Sequence, residues 1–322
     1  KIDPDAAVVF VINHRSNMDY VLVTYLAANA GALSYAVGEW ARVWPLSAVI
    51  RAMGAYFIRR RSRGALYRKV LARYVQMATR GGVSQAVFPE GGLSLNGLLA
   101  PPRMGLLNYI VEDFDPAIRE VIFVPVAINY DRVLEDTILI KADHSGTRRF
   151  SPSLLSVFKR VGRHILLRIT RQFRGFGTAS VSFGEPLELS KYHSEGDTDL
   201  TTAIAEELMQ RIANVTPVLG VPLVARHILS SEPISIPDLE TAVARSVAFL
   251  KERDLPCPRR NPQEIVRDAI SRLSARKLVK ESDDGIHVTP LGQPVLAFYA
   301  NSISHHFDAV AENSDEIAAV AE

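Results

Sequence analysis

The chain has 322 residues, 48% hydrophobic and 22% charged, with a net charge of +2. That composition excludes a disordered or collagen-like protein and gives room for one large domain plus a smaller one. The single cysteine, Cys257, excludes an internal disulfide framework and suits a reducing compartment.

The chain opens at Lys1 rather than Met, which points to residues upstream of it. Ala6 to Ile12 is apolar and β-branched, the pattern of a buried strand. A helix is expected from about Asn17 to Asn29, a strand at Ser34–Val37, a helix at Trp44–Met53 and a short strand at Tyr56–Ile58. Leu66 to Thr79 reads as a helix stopped by Gly81-Gly82. Gln85–Phe88 is a strand that runs into Pro89-Glu90-Gly91-Gly92, and Arg103–Val111 is a helix. Val121–Ile128 is a strong strand in which Pro125 implies an edge or a bulge. A long basic helix is expected over Ser153–Phe173, and a strand over Ala179–Phe183. This alternation predicts an α/β fold with helices around a sheet over 1–215.

Beyond residue 215 the character changes. Residues 216–237 are rich in Pro with Leu, Val and Ile between, so the 216–322 region is expected to be smaller and mostly helical. Helices are expected near Asp238–Lys251 and Gln263–Lys277, the second capped by Asn261 with Pro262 in its first turn and Glu264 three residues after the cap. A hairpin around Asp284-Gly285 and a final helix over Leu291–His306 complete the chain.

Charge is unevenly placed. Residues 51–80 carry nine Lys/Arg and no acid, and residues 154–174 carry six and no acid. Blocks of this kind suit an anionic partner, although a single one also fits a solvated helix face. The longest uncharged run, Tyr20–Gly38, is interrupted by Thr24, Asn29, Gly31 and Ser34, and reads as a buried helix followed by a strand rather than a membrane span.

Four stretches could carry chemistry. In Asn13-His14-Arg15-Ser16-Asn17-Met18-Asp19, a histidine at a strand end precedes a carboxylate in the next helix's first turn. Asp19 could fix the imidazole tautomer and favour the imidazolium formed when His14 accepts a proton. Ser16 and Asp19 also have nearly the form of a capping box, a purely structural arrangement. Arg59-Arg60-Arg61 at a strand end could hold phosphate oxygens or form a basic turn. The Glu90-Gly91-Gly92 turn could let backbone N–H groups approach an anion, or be a turn and no more. Pro125 is read as structural. There is no G-x-S-x-G nucleophile elbow, and no cluster has metal-ligand spacing.

Taken together and in this order, N-H-R-S-N-M-D at 13–19, G-A-Y-F-I-R-R at 54–60, F-P-E-G at 88–91 and V-P-V at 124–126 resemble the four blocks of the glycerolipid acyltransferases. Gly105-Leu106-Leu107, Asn129-Tyr130-Asp131-Arg132, "SFGEPLEL" and the closing "AFYANSISHHF" are similar to the glycerol-3-phosphate acyltransferase branch. The resemblance implies a mixed sheet flanked by helices and an enzyme of phospholipid synthesis. It implies acyl transfer from acyl-CoA or acyl-carrier protein to the hydroxyl of glycerol-3-phosphate, giving lysophosphatidate. His14 would be the general base, Asp19 its orienting partner, Arg15, Arg59 and Arg60 the phosphate contacts, and Glu90 and Gly91 part of the acceptor pocket. No metal or redox cofactor is implied.

One departure stands out. Leu93 and Leu95 occupy positions where the family commonly has two arginines. That keeps other acceptors open, dihydroxyacetone phosphate or a lysophospholipid among them. A different class is open too: an inactive scaffold whose 261–300 segment is a winged-helix-like binding module, although its "KESDDG" wing is acidic and unsuited to DNA. The basic 153–173 segment, with Leu, Val, Ile and Phe interleaved, suits peripheral attachment to an anionic membrane surface, expected to be the cytoplasmic face, and equally suits an acidic carrier protein or packing of its apolar stripe on the sheet.

Overall fold

The computed structural model describes residues 3–27, 33–38, 54–58, 64–146, 177–192 and 199–307. The chain divides into two compact units. One holds residues 1–94, 99–128 and 181–217, the other residues 95–98, 129–180 and 218–322.

A seven-stranded mixed sheet is formed by β1 (Ala7–Ile12), β2 (Ser34–Gly38), β3 (Ala55–Ile58), β4 (Gln85–Val87), β5 (Val121–Tyr130), β6 (Ala179–Phe183) and β7 (Leu187–Glu188). The order is β3-β2-β4-β1-β5-β6, with β7 also pairing β5. The pairs from β3 through β5 are parallel and β7 is antiparallel to β5. Every residue of β5 is buried, as expected of a central strand covered on both faces. Strands that run parallel need long crossover connections. Those among the described residues include α1 (Asp19–Ala27), α2 (Ala65–Arg80) and α3 (Gly105–Val111).

The Tyr20–Gly38 run resolves as expected into the helix α1 and the strand β2. Among the described residues no helix is long and apolar enough to cross a membrane. Pro125 lies in a central strand rather than at an edge. β6 ends at Phe183 and β7 begins at Leu187, and the Gly184 N–H donates to the Pro125 carbonyl at 2.8 Å. Pro125, which has no N–H to give, therefore faces the break between two short strands.

The first unit's core packs Val9, Val11, Phe123 and Ala127 against Leu107 and Ile110 of α3. It also takes in α5 (Leu200–Asn214), whose Leu200, Ile204, Ala205, Leu208 and Ile212 are buried at helical spacing. The sequence reading had no helix at α5, nor at α4 (Asp136–Ser145).

The Pro-rich stretch after residue 216 is a further correction. It contains α6 (Gly220–Ser230), with Leu223, Val224, Ala225 and Ile228 fully buried. Pro222 sits in the helix's first turn, where the missing N–H costs nothing. Asp131 holds this start: one carboxylate oxygen accepts the Val221 N–H and the other the Thr178 N–H, each at 2.9 Å. Around α6 pack α7 (Ile236–Glu252), α8 (Pro262–Ala275) and α9 (Gly292–Asn301). The predicted Asn261 cap is present, accepting the Glu264 N–H at 2.8 Å.

The hairpin of β8 (Val279–Ser282) and β9 (Gly285–Val288) turns at Asp283-Asp284, one residue earlier than expected. Gly285 serves a close approach instead. Its φ is +133°, and a Cβ there would meet the Ile234 carbonyl at 2.7 Å. The expected final helix breaks after Asn301, where the Ser302 hydroxyl donates to the Tyr299 carbonyl at 2.7 Å. The helices expected at 44–53 and 153–173 lie outside the described residues.

Candidate active site

The parallel pairing of β1 with β4 brings two distant blocks together. Val11 is level with Val87 in the register. Three residues on from each are His14 and Glu90, both just past the carboxyl ends of neighbouring strands, where open α/β sheets keep their sites. The His14 N–H donates to Glu90 Oε1 at 2.8 Å, and the Ala100 N–H donates to Glu90 Oε2 at 2.9 Å. The His14 carbonyl accepts the Ser94 N–H at 2.9 Å. Asn13 fixes the other side. Its amide donates to the Ile128 carbonyl at 3.0 Å and accepts the Ile128 N–H at 2.7 Å, imitating one further ladder step between β1 and β5.

Asp19, at the start of α1, is buried against this strand end. Its Oδ2 lies 2.9 Å from His14 Nδ1 and accepts the N–H groups of Arg15 at 2.7 Å and Ser16 at 3.0 Å. A carboxylate only accepts, so in the neutral ring the network assigns the proton to Nδ1 and leaves the lone pair on Nε2. Nε2 faces the Tyr20 hydroxyl at 3.4 Å. The imidazole packs against the rings of Phe88, 4.4 Å away, and Tyr20, 5.3 Å away, which also touch each other, and is 3% exposed.

Arg15 is buried as well, at 1% exposure. Burial pushes its guanidinium below the usual value, opposed by the charges of Glu90 and Asp19. Burial likewise pushes the Glu90 carboxyl up, opposed by Arg15 and by its two backbone donors. Each charge is the other's compensation in a water-poor setting.

Gly91 has φ +68°, and a Cβ there would meet Arg103 Cδ at 2.6 Å. The Arg103 N–H in turn donates to the Pro89 carbonyl at 2.8 Å. The exposed Arg103 side chain thus crosses the Glu90-Gly91 turn beside the histidine.

The structure therefore brings together His14, Arg15, Asp19, Glu90 and Gly91. Arg59 and Arg60 lie outside the described residues. Sequence reasoning gave no role to Asn13, Tyr20, Phe88 or Arg103. The available signals were the polar residue ending an apolar strand, the aromatics flanking both blocks, and one arginine twelve residues after Gly91. Among the described residues no group of His, Cys, Asp and Glu could hold a metal ion.

Comparison with known proteins matches residues 1–129 to the acyltransferase family and residues 164–311 to the glycerol-3-phosphate acyltransferase C-terminal region. Over these two regions the chain is similar to the glycerol-3-phosphate acyltransferases. Among its relatives are glycerol-3-phosphate acyltransferases from Pseudoalteromonas atlantica, 29% identical, and Histophilus somni, 26% identical. Each alignment covers 93% of this chain and 39% of the relative, so the chain spans about two-fifths of their length. The crystal structure of the 1-acyl-sn-glycerophosphate acyltransferase from Thermotoga maritima overlaps with a TM-score of 0.37 at 18% identity, covering 65% of this chain and 67% of that one.

Proposed function

We propose that the protein transfers a fatty acyl group from acyl-CoA or acyl-carrier protein to the hydroxyl of glycerol-3-phosphate, giving lysophosphatidate. The observation that carries this reading is the His14–Asp19 contact, with Nδ1 protonated toward the carboxylate and Nε2 left as the base. Nε2 takes the acceptor's hydroxyl proton as that oxygen attacks the thioester carbonyl carbon. Asp19 stabilises the imidazolium that forms. The tetrahedral intermediate then collapses, the carbon–sulfur bond breaks, and His14 returns its proton to the departing thiolate. A thioester is already an activated acyl group, so the step asks for no metal or redox cofactor.

The acceptor's phosphate needs cations. Arg59 and Arg60 are the sequence's candidates, and Arg15 belongs to the same set by resemblance. Arg103 joins them because its stem crosses Gly91 beside the base and its side chain is exposed. It offers a compensating cation for the arginines replaced by Leu93 and Leu95. Peripheral attachment to the anionic, cytoplasmic face of a membrane belongs to the same proposal, supported by the two acid-free basic blocks.

Product analysis by mass spectrometry, with one long-chain acyl donor and glycerol-3-phosphate, dihydroxyacetone phosphate or a lysophospholipid as acceptor, tests this reading. Lysophosphatidate as the dominant product supports it. Preferential acylation of either other acceptor would replace the named substrate while keeping the chemistry.

A further inference from the structure

The helix α2 shows an unusual face to solvent. Leu66, Val70, Tyr74 and Met77 follow one another at helical spacing. They are 77%, 60%, 47% and 60% exposed. The side that packs is the opposite one: Val75 and Thr79 are buried and Leu71 lies against the core. The exposed row is about 16 Å long at the helical rise. Scattered surface leucines need no explanation, but a continuous apolar row on one exposed helix face marks an interaction surface.

The charges on α2 say what kind of surface it meets. The helix carries Arg68, Lys69, Arg73 and Arg80 and no acid. Lys69, Arg73 and Arg80 fall along one border of the apolar row. Arg80 is paired with Asp113, Nε to Oδ2 at 2.7 Å. Tyr74 is held by its ring contact with Tyr56, 4.9 Å between centroids, while remaining half-exposed. An apolar row with a cationic border and a tyrosine at its edge is the pattern of a helix lying in a lipid interface. Its aliphatic side chains enter the acyl boundary and its cations meet anionic headgroups.

We infer that the exposed face of α2, Leu66-Val70-Tyr74-Met77 with Lys69 and Arg73, docks the protein on an anionic lipid surface. This names the surface for the peripheral attachment proposed above and rests on that reading, not on the acyl-transfer chemistry. A second copy of the chain would be met by a facing apolar row, and an acidic protein by scattered cations. The one-sided cationic border along a straight apolar row favours lipid over both.

The test is co-sedimentation of the whole protein with phosphatidylcholine vesicles, with and without phosphatidylglycerol. Two double variants are compared with the parent, Val70→Glu/Met77→Glu and Lys69→Glu/Arg73→Glu. All four positions are exposed, and circular dichroism checks that each variant folds. The inference predicts binding to the phosphatidylglycerol vesicles that weakens with salt and falls about tenfold or more in each variant. Parent-like binding by both variants would overturn this docking face and leave membrane attachment standing through another surface. Failure of the parent to bind would overturn both. A concentration-dependent dimer abolished by Val70→Glu/Met77→Glu would assign the face to a second copy and overturn the lipid assignment. So would binding to acyl-carrier protein in place of vesicles. None of these readouts involves acyl transfer, so they stand or fall apart from the proposed reaction.

Discussion

A single oxygen of Asp19 accepts both the ring of His14 and the backbone turn that follows it. Oδ2 lies 2.9 Å from Nδ1 and takes the Arg15 and Ser16 N–H groups. The structural reading of Ser16–Asp19 as a helix cap and the chemical reading of His14–Asp19 as a base and its partner are therefore one geometry. The backbone donors fix the carboxylate before the imidazole uses it, so orientation of the base is built into the start of α1.

Asp19→Asn separates these duties. Asparagine can still accept a hydrogen bond but carries no charge to stabilise an imidazolium. The expected outcome is a fall in kcat of about 100-fold or more, with a folded protein destabilised by roughly 1–3 kcal/mol. Steady-state kinetics alongside thermal unfolding check both parts. A near-normal kcat would remove Asp19 from the chemistry and leave it as a cap.

Glu90→Gln removes the larger of the two charges that compensate the buried Arg15 and leaves only Asp19. Replacing the carboxylate should cost about 2–4 kcal/mol of stability, read by denaturant unfolding. Replacing Arg15 by Met together with Glu90→Gln should recover part of that loss, since an uncharged pair needs no compensation.

Arg103→Ala should raise KM for the phosphorylated acceptor about tenfold and leave KM for the acyl donor little changed. Gly91→Ala should move the same constant in the same direction. It forces a side chain into a φ of +68° and pushes the Arg103 stem aside. Equal effects on both substrates would assign Arg103 to folding instead.

His227 supplies a pH prediction away from the site. Burial, with Arg226 and Arg245 adding to it, lowers its pKa to about 4, while Nε2 keeps a contact with the Ser246 hydroxyl at 2.9 Å. The unfolded chain takes up this proton first as pH falls. The contribution is thus full above about pH 6.5 and is lost progressively toward about pH 4. After discounting for partial exposure the loss is on the order of 2 kcal/mol. In His227→Gln, stability measured across that window should be flatter than in the parent.

Much of the sheet was legible because buried strands announce themselves by apolar, β-branched runs, as in Ala7–Ile12 and Val121–Tyr130. The helix α5 carried an equally plain periodicity in Leu200, Ile204, Leu208 and Ile212 and went unread. α6 was masked by its prolines, which are harmless in a first turn. At the site, the residue types of His14 and Asp19 were legible within one short segment. What no local pattern could give was strand register. The level placement of Val11 and Val87 sets Glu90 beside His14, and the close approach at Gly91 brings Arg103 over the same turn.

The central claim is that His14 is the base for transfer to an acceptor hydroxyl. The most direct measurement is thiol release from a long-chain acyl-CoA, with and without glycerol-3-phosphate, for the protein and for His14→Ala. The account predicts acceptor-dependent release that falls about 1,000-fold in the variant. Acceptor-dependent release that survives in a folded His14→Ala protein would contradict it.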